Sequence, residues 1–506
     1  MMHSSEAVGS TVSRVEAVGR QFRKTNWSRW TPWIVGLAVL VVVGWGIWIP
    51  GLWYDEAVTV SAAERSLPAL GALLARVDAV HGLYYSVMHL WFGLVDYSPL
   101  TLRVPSAFAV AATSVLLVRL GTMQWGLSAG VAAGLVYGLI PRTLWMATQG
   151  RSYALAAFLV TLAVFFFVRA LSGARRRDWA FFSASMAVAS AAFLYTLLLV
   201  AVFVVVVLIQ RVGRRQWTDF LASLVGVAAV TAPLALLALS QRSQIAWITL
   251  VTLRQALRSP YFVYLEGATS LPIVIGWAAL LGVTLALLLI SKAGGRALNR
   301  PAGVVLAIGW FGFPLVALLV IGSILPLYSN YYPAFATPGL ALAMGAGIGG
   351  LTSPRARAAL LVVTALLAVQ PWVFHRSPNS KTDMLDVVGI VAANRGSGGA
   401  VWFVEGSTWV TPRQLSVGYP EAFAGLADIT LDEDASQSAT FFGTSKPLSD
   451  VESSLGEYDR LLAVVHGPTE TLPSLQEGMD DLATAGLTKA GTEATGQWTV
   501  YIFERA

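Results

Sequence analysis

"NWSRWTPWIVGLAVLVVVGWGIWIPGLWYDEAVTVSAAERS", residues 26–66, opens on a basic flank, runs into an apolar stretch and, a few residues past it, sets Asp55 and Glu56 side by side. An apolar run of about 20 residues is long enough to cross a bilayer as a helix. Ionisable groups beside lipid are costly unless they are hydrated, paired or functional. The stretch therefore reads as a membrane span whose far end carries two carboxylates at the water boundary. Its flank has the charge of a signal peptide, but the apolar run is too long and no small-residue cleavage site follows, so the span is expected to be retained.

The rest of the chain fits a membrane protein. Of its 506 residues 56% are hydrophobic and only 12% charged, well away from ordinary soluble domains. Cysteine is absent, which excludes disulfides, thiolate metal sites and a cysteine nucleophile. Apolar segments near 32–50, 101–119, 126–141, 152–170, 179–192, 194–210, 218–240, 270–291, 302–325, 333–351 and 358–374 predict about eleven spans. The stretch 179–210 reads either as two short helices with Tyr195 near the bend or as one long tilted one. Two are favoured, because one would put later basic clusters on the opposite face.

Those clusters orient the chain. Arg14, Arg20, Arg23, Lys24 and Arg29, then Arg175–Arg177, Arg211 with Arg214 and Arg215, Lys292 with Arg296 and Arg300, and Arg355 with Arg357 all fall on one side of an eleven-span layout, which the positive-inside bias makes the cytoplasm. Loops 51–100, 241–268 and 323–333 then lie outside. Residues 1–375 carry 26 Lys and Arg against 10 Asp and Glu, while 376–506 carry 8 against 18. The expected organisation is a basic cytoplasmic tail (1–30), a membrane domain (31–375) with a large first outer loop (51–100), and a separately folded acidic domain (376–506) outside. In that last part "AVWFV", "RLLAVVHG" and "WTVYIFE" predict strands and 382–394 and 474–486 predict helices, a small α/β domain in which His466-Gly467-Pro468 reads as a strand-end turn. The basic residues belong to loops beside spans, so nucleic acid is not an expected partner.

Function-bearing residues gather on the outer face. Asp55, Glu56, Glu64, Asp78, Asp96 and Glu266 lie in outer loops, and no span has a carboxylate near its centre. Proton-coupled carriers keep ionisable groups at mid-membrane and often show internal repeats, so a lipid or glycolipid transporter is a weaker reading than an enzyme. Residues 67–77 show helical periodicity suited to a surface helix, followed by "HGLYYSVMHLWFGL" (81–94), amphipathic and aromatic. Arg103, Arg142, Arg151, Arg242, Arg254 and Arg258 sit outside against the charge bias. Phosphate at the interface would account for them, since guanidinium binds it through paired charge-assisted hydrogen bonds.

In order and predicted topology, the Asp-Glu pair after the first span, the loop "HGLYY…HLW", then "LRVPSA", then "QGRSYAL" after the third span resemble the GT-C glycosyltransferases, specifically the family 39, protein-mannosyltransferase-like branch found in actinobacteria. The resemblance spans roughly residues 30–350. It implies a mainly α bundle and transfer of a sugar, mannose by analogy, from a polyprenyl phosphate to a glycan, glycolipid or protein acceptor of the cell envelope, with inversion. Asp55 is then the expected general base and Arg151 a ligand of the donor phosphate.

Two departures stand out: "HPPLYY" of the family is here His81-Gly82-Leu83-Tyr84-Tyr85, and Asn330 in "SNYYPAFATPGLAL" stands where relatives often have Arg, which shifts phosphate binding onto Arg151 or Arg258. Glu56 is read as a second catalytic group that orients the acceptor or helps hold a metal, or else as an arginine partner. His81, Tyr84, Tyr85, Gln149, Tyr153, Asn330 and Tyr331 are expected site neighbours, while Arg103 is read as a tie to a neighbouring loop and His89 as packing. No cofactor is required. Asp55, Glu56 and His81 could hold a divalent cation, but nothing has diagnostic metal spacing. A sibling enzyme using a polyprenyl-phosphate arabinofuranose, or a non-catalytic envelope-assembly protein, are the other readings.

Overall fold

The computed structural model describes residues 29–173, 175–291, 296–396, 398–406, 410–467 and 472–506. Arg14, Arg20, Arg23, Lys24, Lys292 and Pro468, all used above, lie outside them. Every apolar segment predicted to span is helical: α1 (Arg29–Gly44), α5 (Pro99–Trp125), α6 (Leu127–Leu139) with α7 (Pro141–Ala147), α8 (Tyr153–Gly173), α9 (Arg176–Ala192), α10 (Leu199–Gln210), α11 (Arg214–Ser240), α13 (Leu271–Ile290), α14 (Arg300–Gly322), α15 (Thr337–Gly350) and α16 (Pro354–Phe374). Of these, α5, α8, α11, α13, α14 and α16 are long and apolar enough to cross a membrane, and α6 with α7 makes a seventh if counted as one bent span. Between 179 and 210 the chain breaks at extended Phe193 before a short 3₁₀ turn over Leu194–Leu198, so there are two helices rather than one.

Burial separates core helices from lipid-facing ones. The apolar windows of α5 and α8 are 72% and 67% buried, that of α16 only 17%. On α1, Trp30 and Trp33 near one end and Trp45 and Trp48 just past the other are exposed, as expected for aromatic rings at two interfaces. Helix α15 is short but nearly all buried, and it lies against α6 because a Cβ on Gly345 would come within 2.4 Å of the Ala133 backbone nitrogen. Small residues let helix backbones approach where apolar solvent offers little drive to associate.

The bundle has two chemically different ends. At one, Arg357 donates to Ser128, Gln216 to the carbonyl of Leu171, and Ser172 to that of Ala297, bringing together loops that carry the basic clusters. At the other end lie α2 (Tyr54–Ala63), α3 (Leu67–Arg76) and α4 (Gly82–Phe92) of the first loop, together with α12 (Leu253–Tyr264).

Against this second end packs a mixed five-stranded sheet of order β2-β1-β3-β5-β4: β1 (Ala400–Val404), β2 (Ala427–Asp428), β3 (Arg460–His466), β4 (Leu487–Ala494) and β5 (Trp498–Arg505), with α17 (Met384–Asn394) and a helix over Pro473–Thr484. β1 is parallel to β2 and β3, and β5 is antiparallel to β3 and β4. Phe403, Val464 and Val500 of the sheet and Val387 of α17 share one apolar cluster with Val60, Leu70, Leu73 and Met88 of the first loop. Polar ties cross the same seam: the Leu52 amide donates to Tyr419 Oη at 2.7 Å, Tyr97 Oη to the Gly418 carbonyl, and Arg65 to the carbonyls of Thr440 and Phe441.

Candidate active site

Helix α2 starts at Tyr54 with Trp53 as its N-cap residue and no side-chain cap, so Asp55 and Glu56 occupy its first turn at the positive end of the helix dipole. One residue apart on a helix, their side chains diverge by about 100°, and they enter different surroundings.

Glu56 points inward and is fully buried. Its Oε1 accepts from Arg103 Nε at 2.8 Å and from the Gly150 amide at 2.7 Å; its Oε2 accepts from Arg103 Nη2 at 2.9 Å and from Lys381 Nζ at 2.7 Å. Burial would push this carboxyl up, but Arg103 and Lys381 outweigh it and hold Glu56 at about 2. Arg103 also ties down the carbonyls of Ile47, Pro50 and Gly51, the link between α1 and α2. Gly150 belongs at this contact: a Cβ there would lie 2.4 Å from Leu102 Cγ. With four donors on two oxygens, Glu56 has no acceptor direction left for substrate or cation.

Asp55 faces outward, its side chain 29% exposed. Its Oδ2 lies 3.7 Å from Arg151 Nε, a loose ion pair without a hydrogen bond on that nitrogen. Arg151 is anchored elsewhere: Nη1 donates to Tyr85 Oη at 2.8 Å, and Tyr85 in turn donates to Asp78. Asp78 sits in the left-handed region at φ 58°, which Asp tolerates better than most residues, and its Oδ1 is 3.8 Å from His81 Nε2. Burial raises the Asp55 carboxyl above the usual carboxylate range; Arg151 opposes this, and Asp78 and Glu56 add to it. Burial, helped by Arg151 and opposed by Asp78, draws His81 down to about 4, so the ring is neutral at pH 7.

An aromatic wall stands beside this group. Trp145 and Tyr331 stack at 4.9 Å with planes 6° apart, Trp53 meets Tyr331 edge-on at 5.7 Å, and Tyr153 meets Trp145 at 5.1 Å. Pro141, which has no amide hydrogen to continue the α6 ladder, begins α7 after a 63° bend. The bend brings Trp145 here and lays Arg142 over it at 4.5 Å, paired with Glu266 at 2.8 Å. Trp53, Trp145 and Tyr331 line a cavity of about 180 Å³ with Thr148, Gln149, Glu266, His375, Ser380 and Lys381.

A second cavity, about 500 Å³, is lined by α12 and the 328–330 loop and includes Arg254, Arg258, Tyr328 and Asn330. Both arginines are exposed.

The structure thus brings Asp55, Arg151, Tyr85 and His81 into one chain of contacts, with Tyr84 buried at 6.5 Å from Tyr85. Gln149, Tyr153 and Tyr331 belong to the aromatic side. Arg258 and Asn330 line the other cavity, so Arg258 and Arg151 do not share one pocket. Asp55, Glu56 and His81 do not form a metal cluster, and no group of three His, Asp or Glu residues does so among the described residues. His89 bonds the Ala63 carbonyl at 2.9 Å. Sequence reasoning missed Lys381, which reaches Glu56 from beyond the last helix of the bundle. Its signal was a lysine at the start of the acidic region, just past the last apolar segment.

The fold is a helical bundle with a helix-rich first loop at one end, over which a smaller domain is laid. No family model matches the chain, and no curated protein matches it in sequence. Among solved structures it resembles ArnT from Cupriavidus metallidurans in the apo state, at 14% identity with a TM-score of 0.61, covering 95% of this chain and 98% of that one. The same protein bound to undecaprenyl phosphate gives 0.60 at 14%, covering 93% and 98%. Arabinofuranosyltransferase AftD from Mycobacteria gives 0.52 at 17%, covering 94% of this chain and 40% of that one. These neighbours are membrane glycosyltransferases of GT-C fold.

Proposed function

We propose that the protein is a membrane glycosyltransferase that moves a sugar from a polyprenyl phosphate to an acceptor hydroxyl outside the cytoplasm, with Asp55 as the base. The carrying observation is the contrast within α2: Glu56 is saturated, whereas Asp55 is partly exposed, held by one loose contact, and raised toward the proton affinity a general base needs. The acceptor oxygen attacks the anomeric carbon from the face opposite the phosphate, and its proton passes to Asp55. The new C–O bond forms as the bond from carbon to phosphate oxygen breaks, its electron pair leaving with the polyprenyl phosphate. Cationic side chains stabilise the charge that develops there. Arg151, already anchored by Tyr85, is the ligand we assign to the reacting phosphate, and Arg258, exposed on the larger cavity, is assigned to donor binding alone.

The fold likeness to a protein solved with undecaprenyl phosphate supports a lipid-phosphate donor. Mannose is the sugar the sequence resemblance favours, and arabinofuranose is its rival. In this reading the basic end of the bundle and the N-terminus face the cytoplasm, the sheet domain lies outside, and the plasma membrane is the location.

The test is label transfer by the full chain in lipid nanodiscs, given radiolabelled polyprenyl-phosphate mannose or arabinofuranose with an envelope extract as acceptor. Transfer from either donor that stops in Asp55→Asn is expected. Turnover that survives the substitution overturns the base assignment, and inertness with both donors overturns the transferase reading.

A further inference from the structure

Residues 148–152 form the turn between α7 and α8 that delivers Arg151, and its carbonyls are held by side chains from three other parts of the chain. The Thr148 carbonyl accepts from Lys381 Nζ at 2.5 Å, that of Gln149 from Ser106 Oγ of α5 at 2.6 Å, and that of Gly150 from Thr59 Oγ1 of α2 at 2.9 Å. The Gly150 amide donates to Glu56. Backbone groups shut away from water need partners. A turn that finds four of them among side chains takes its shape from those side chains.

Thr59 differs from the other ties in what else it touches. It lies four residues beyond Asp55 on the same face of α2, and its Oγ1 is 3.1 Å from the Asp55 carbonyl as well as 2.9 Å from that of Gly150. A threonine inside a helix often returns its hydroxyl to the carbonyl four residues back; here the shorter contact leaves the helix. Arg151 Nη1 approaches the same Asp55 carbonyl at 3.4 Å. Thr59 is fully buried, and Gly150 is buried beside it. One hydroxyl therefore stands between the backbone of Asp55 and the residue that precedes Arg151.

We infer that Thr59 is a positioning residue, whose hydroxyl sets the spacing of Asp55 and Arg151 by tying together the backbones that carry them, with Ser106 holding the next carbonyl of the same turn. Tyr85 fixes the head of Arg151 and Thr59 its root. The purpose of this spacing rests on the transferase reading: Asp55 takes the acceptor proton while Arg151 meets the leaving phosphate, so the two must stand at a set distance across the reacting carbon.

Two substitutions separate the hydroxyl from packing. Thr59→Val keeps the branched shape and removes the hydroxyl; Thr59→Ser keeps the hydroxyl and removes a methyl group. With the full chain in nanodiscs, hydrogen exchange of the peptide covering 148–152 reads the turn without turnover, and it should be roughly tenfold faster in Thr59→Val and near wild type in Thr59→Ser. In label transfer, kcat should fall ~10–100-fold in Thr59→Val with donor KM within about twofold, while Thr59→Ser stays within about threefold of wild type. Because Thr59 acts through Arg151, adding Thr59→Val to Arg151→Ala should slow turnover no further. Ser106→Ala, which frees the Gln149 carbonyl, should show the same pattern at smaller size and serves if Thr59→Val does not fold.

A packing role predicts the reverse order, with Thr59→Ser the more damaged. That order, unchanged exchange and kcat in Thr59→Val, a loss carried by KM alone, or an additive loss in the double variant overturns the inference. If wild type transfers nothing while exchange still follows the hydroxyl, the transferase reading fails and the anchoring of the turn stands. If wild type transfers label and Thr59→Val matches it in exchange and rate, the anchoring fails and the transferase reading stands.

Discussion

The neighbourhoods of Asp55 and Glu56 start one peptide bond apart and end as opposites. Around Glu56, two cations and an amide converge on a fully buried carboxylate, and each group reached belongs to a different part of the chain: α5, the loop before α8 and the segment after α16. Around Asp55 one arginine stands off at 3.7 Å and is held mainly by a tyrosine. The first arrangement fixes a backbone; the second leaves a proton acceptor available. In the proposed reading, base chemistry and scaffold strength are divided between adjacent residues, and the division makes distinct forecasts for each.

The largest expected effect is on turnover at Asp55. Asp55→Asn keeps shape and removes the proposed base, so kcat should fall ~10²–10⁴-fold while donor binding and thermal unfolding stay near wild type. A comparable fall in stability would instead make Asp55 part of the scaffold and erase the contrast with Glu56.

At Glu56 the loss should be one of folding. Glu56→Gln leaves Arg103 and Lys381 buried without their counter-charge, which typically costs ~3–5 kcal/mol. Lys381→Met removes one ion and should cost less; the double variant should cost less than the sum, because each change removes the other's reason for harm. Additive losses measured by chemical unfolding would refute the network. The pH dependence has a definite sign: Glu56, held at about 2, contributes stability that is complete above its unfolded value near ~4.3 and is lost as pH falls through about 2. Glu56 is thus constant from pH 5 to 8, and an acid limb of turnover in that range belongs to another group.

Smaller again is the effect at the second cavity. Arg258 is exposed, so solvent screening limits its contribution, and Arg258→Ala should raise donor KM about five- to tenfold with kcat little changed. A fall in kcat without change in KM would move Arg258 to the reacting phosphate and make the two cavities one functional unit.

How much of this was legible beforehand follows from the same physics. Apolar length carries a strong signal, so each predicted segment is a helix; but α15, rich in glycine, is as apolar as a span while only Thr337–Gly350 long, because its role is to pack against α6 and α13. Periodicity found β1, β3 and β5, which are largely buried, and missed β4, a polar edge strand with most residues exposed, and the two-residue β2. At the site, Asp55 and Arg151 were grouped through family resemblance, since nothing in single-chain spacing tells that residues 96 apart will meet. Lys381 lies 325 residues from Glu56, and a contact of that separation leaves only a charge out of place in the sequence.

The most delicate forecast concerns Tyr85, which competes with Asp55 for Arg151. Tyr85→Phe removes the 2.8 Å bond to Nη1 and the bond to Asp78 without changing the ring that packs in the buried cluster. Arg151 is then free to close on Asp55, and a closer cation lowers a carboxyl's proton affinity. Burial holds the Asp55 carboxyl above the free-aspartate value of ~3.9, so the acid limb of kcat/KM in wild type should inflect above it, with activity lost as pH falls. In Tyr85→Phe the limb should move to lower pH, with a few-fold loss of rate at neutral pH as a weaker base does the same work. A limb that moves upward would mean that Tyr85 holds Arg151 toward Asp55 rather than away from it, and the looseness of the Asp55 contact would then belong to the resting molecule alone.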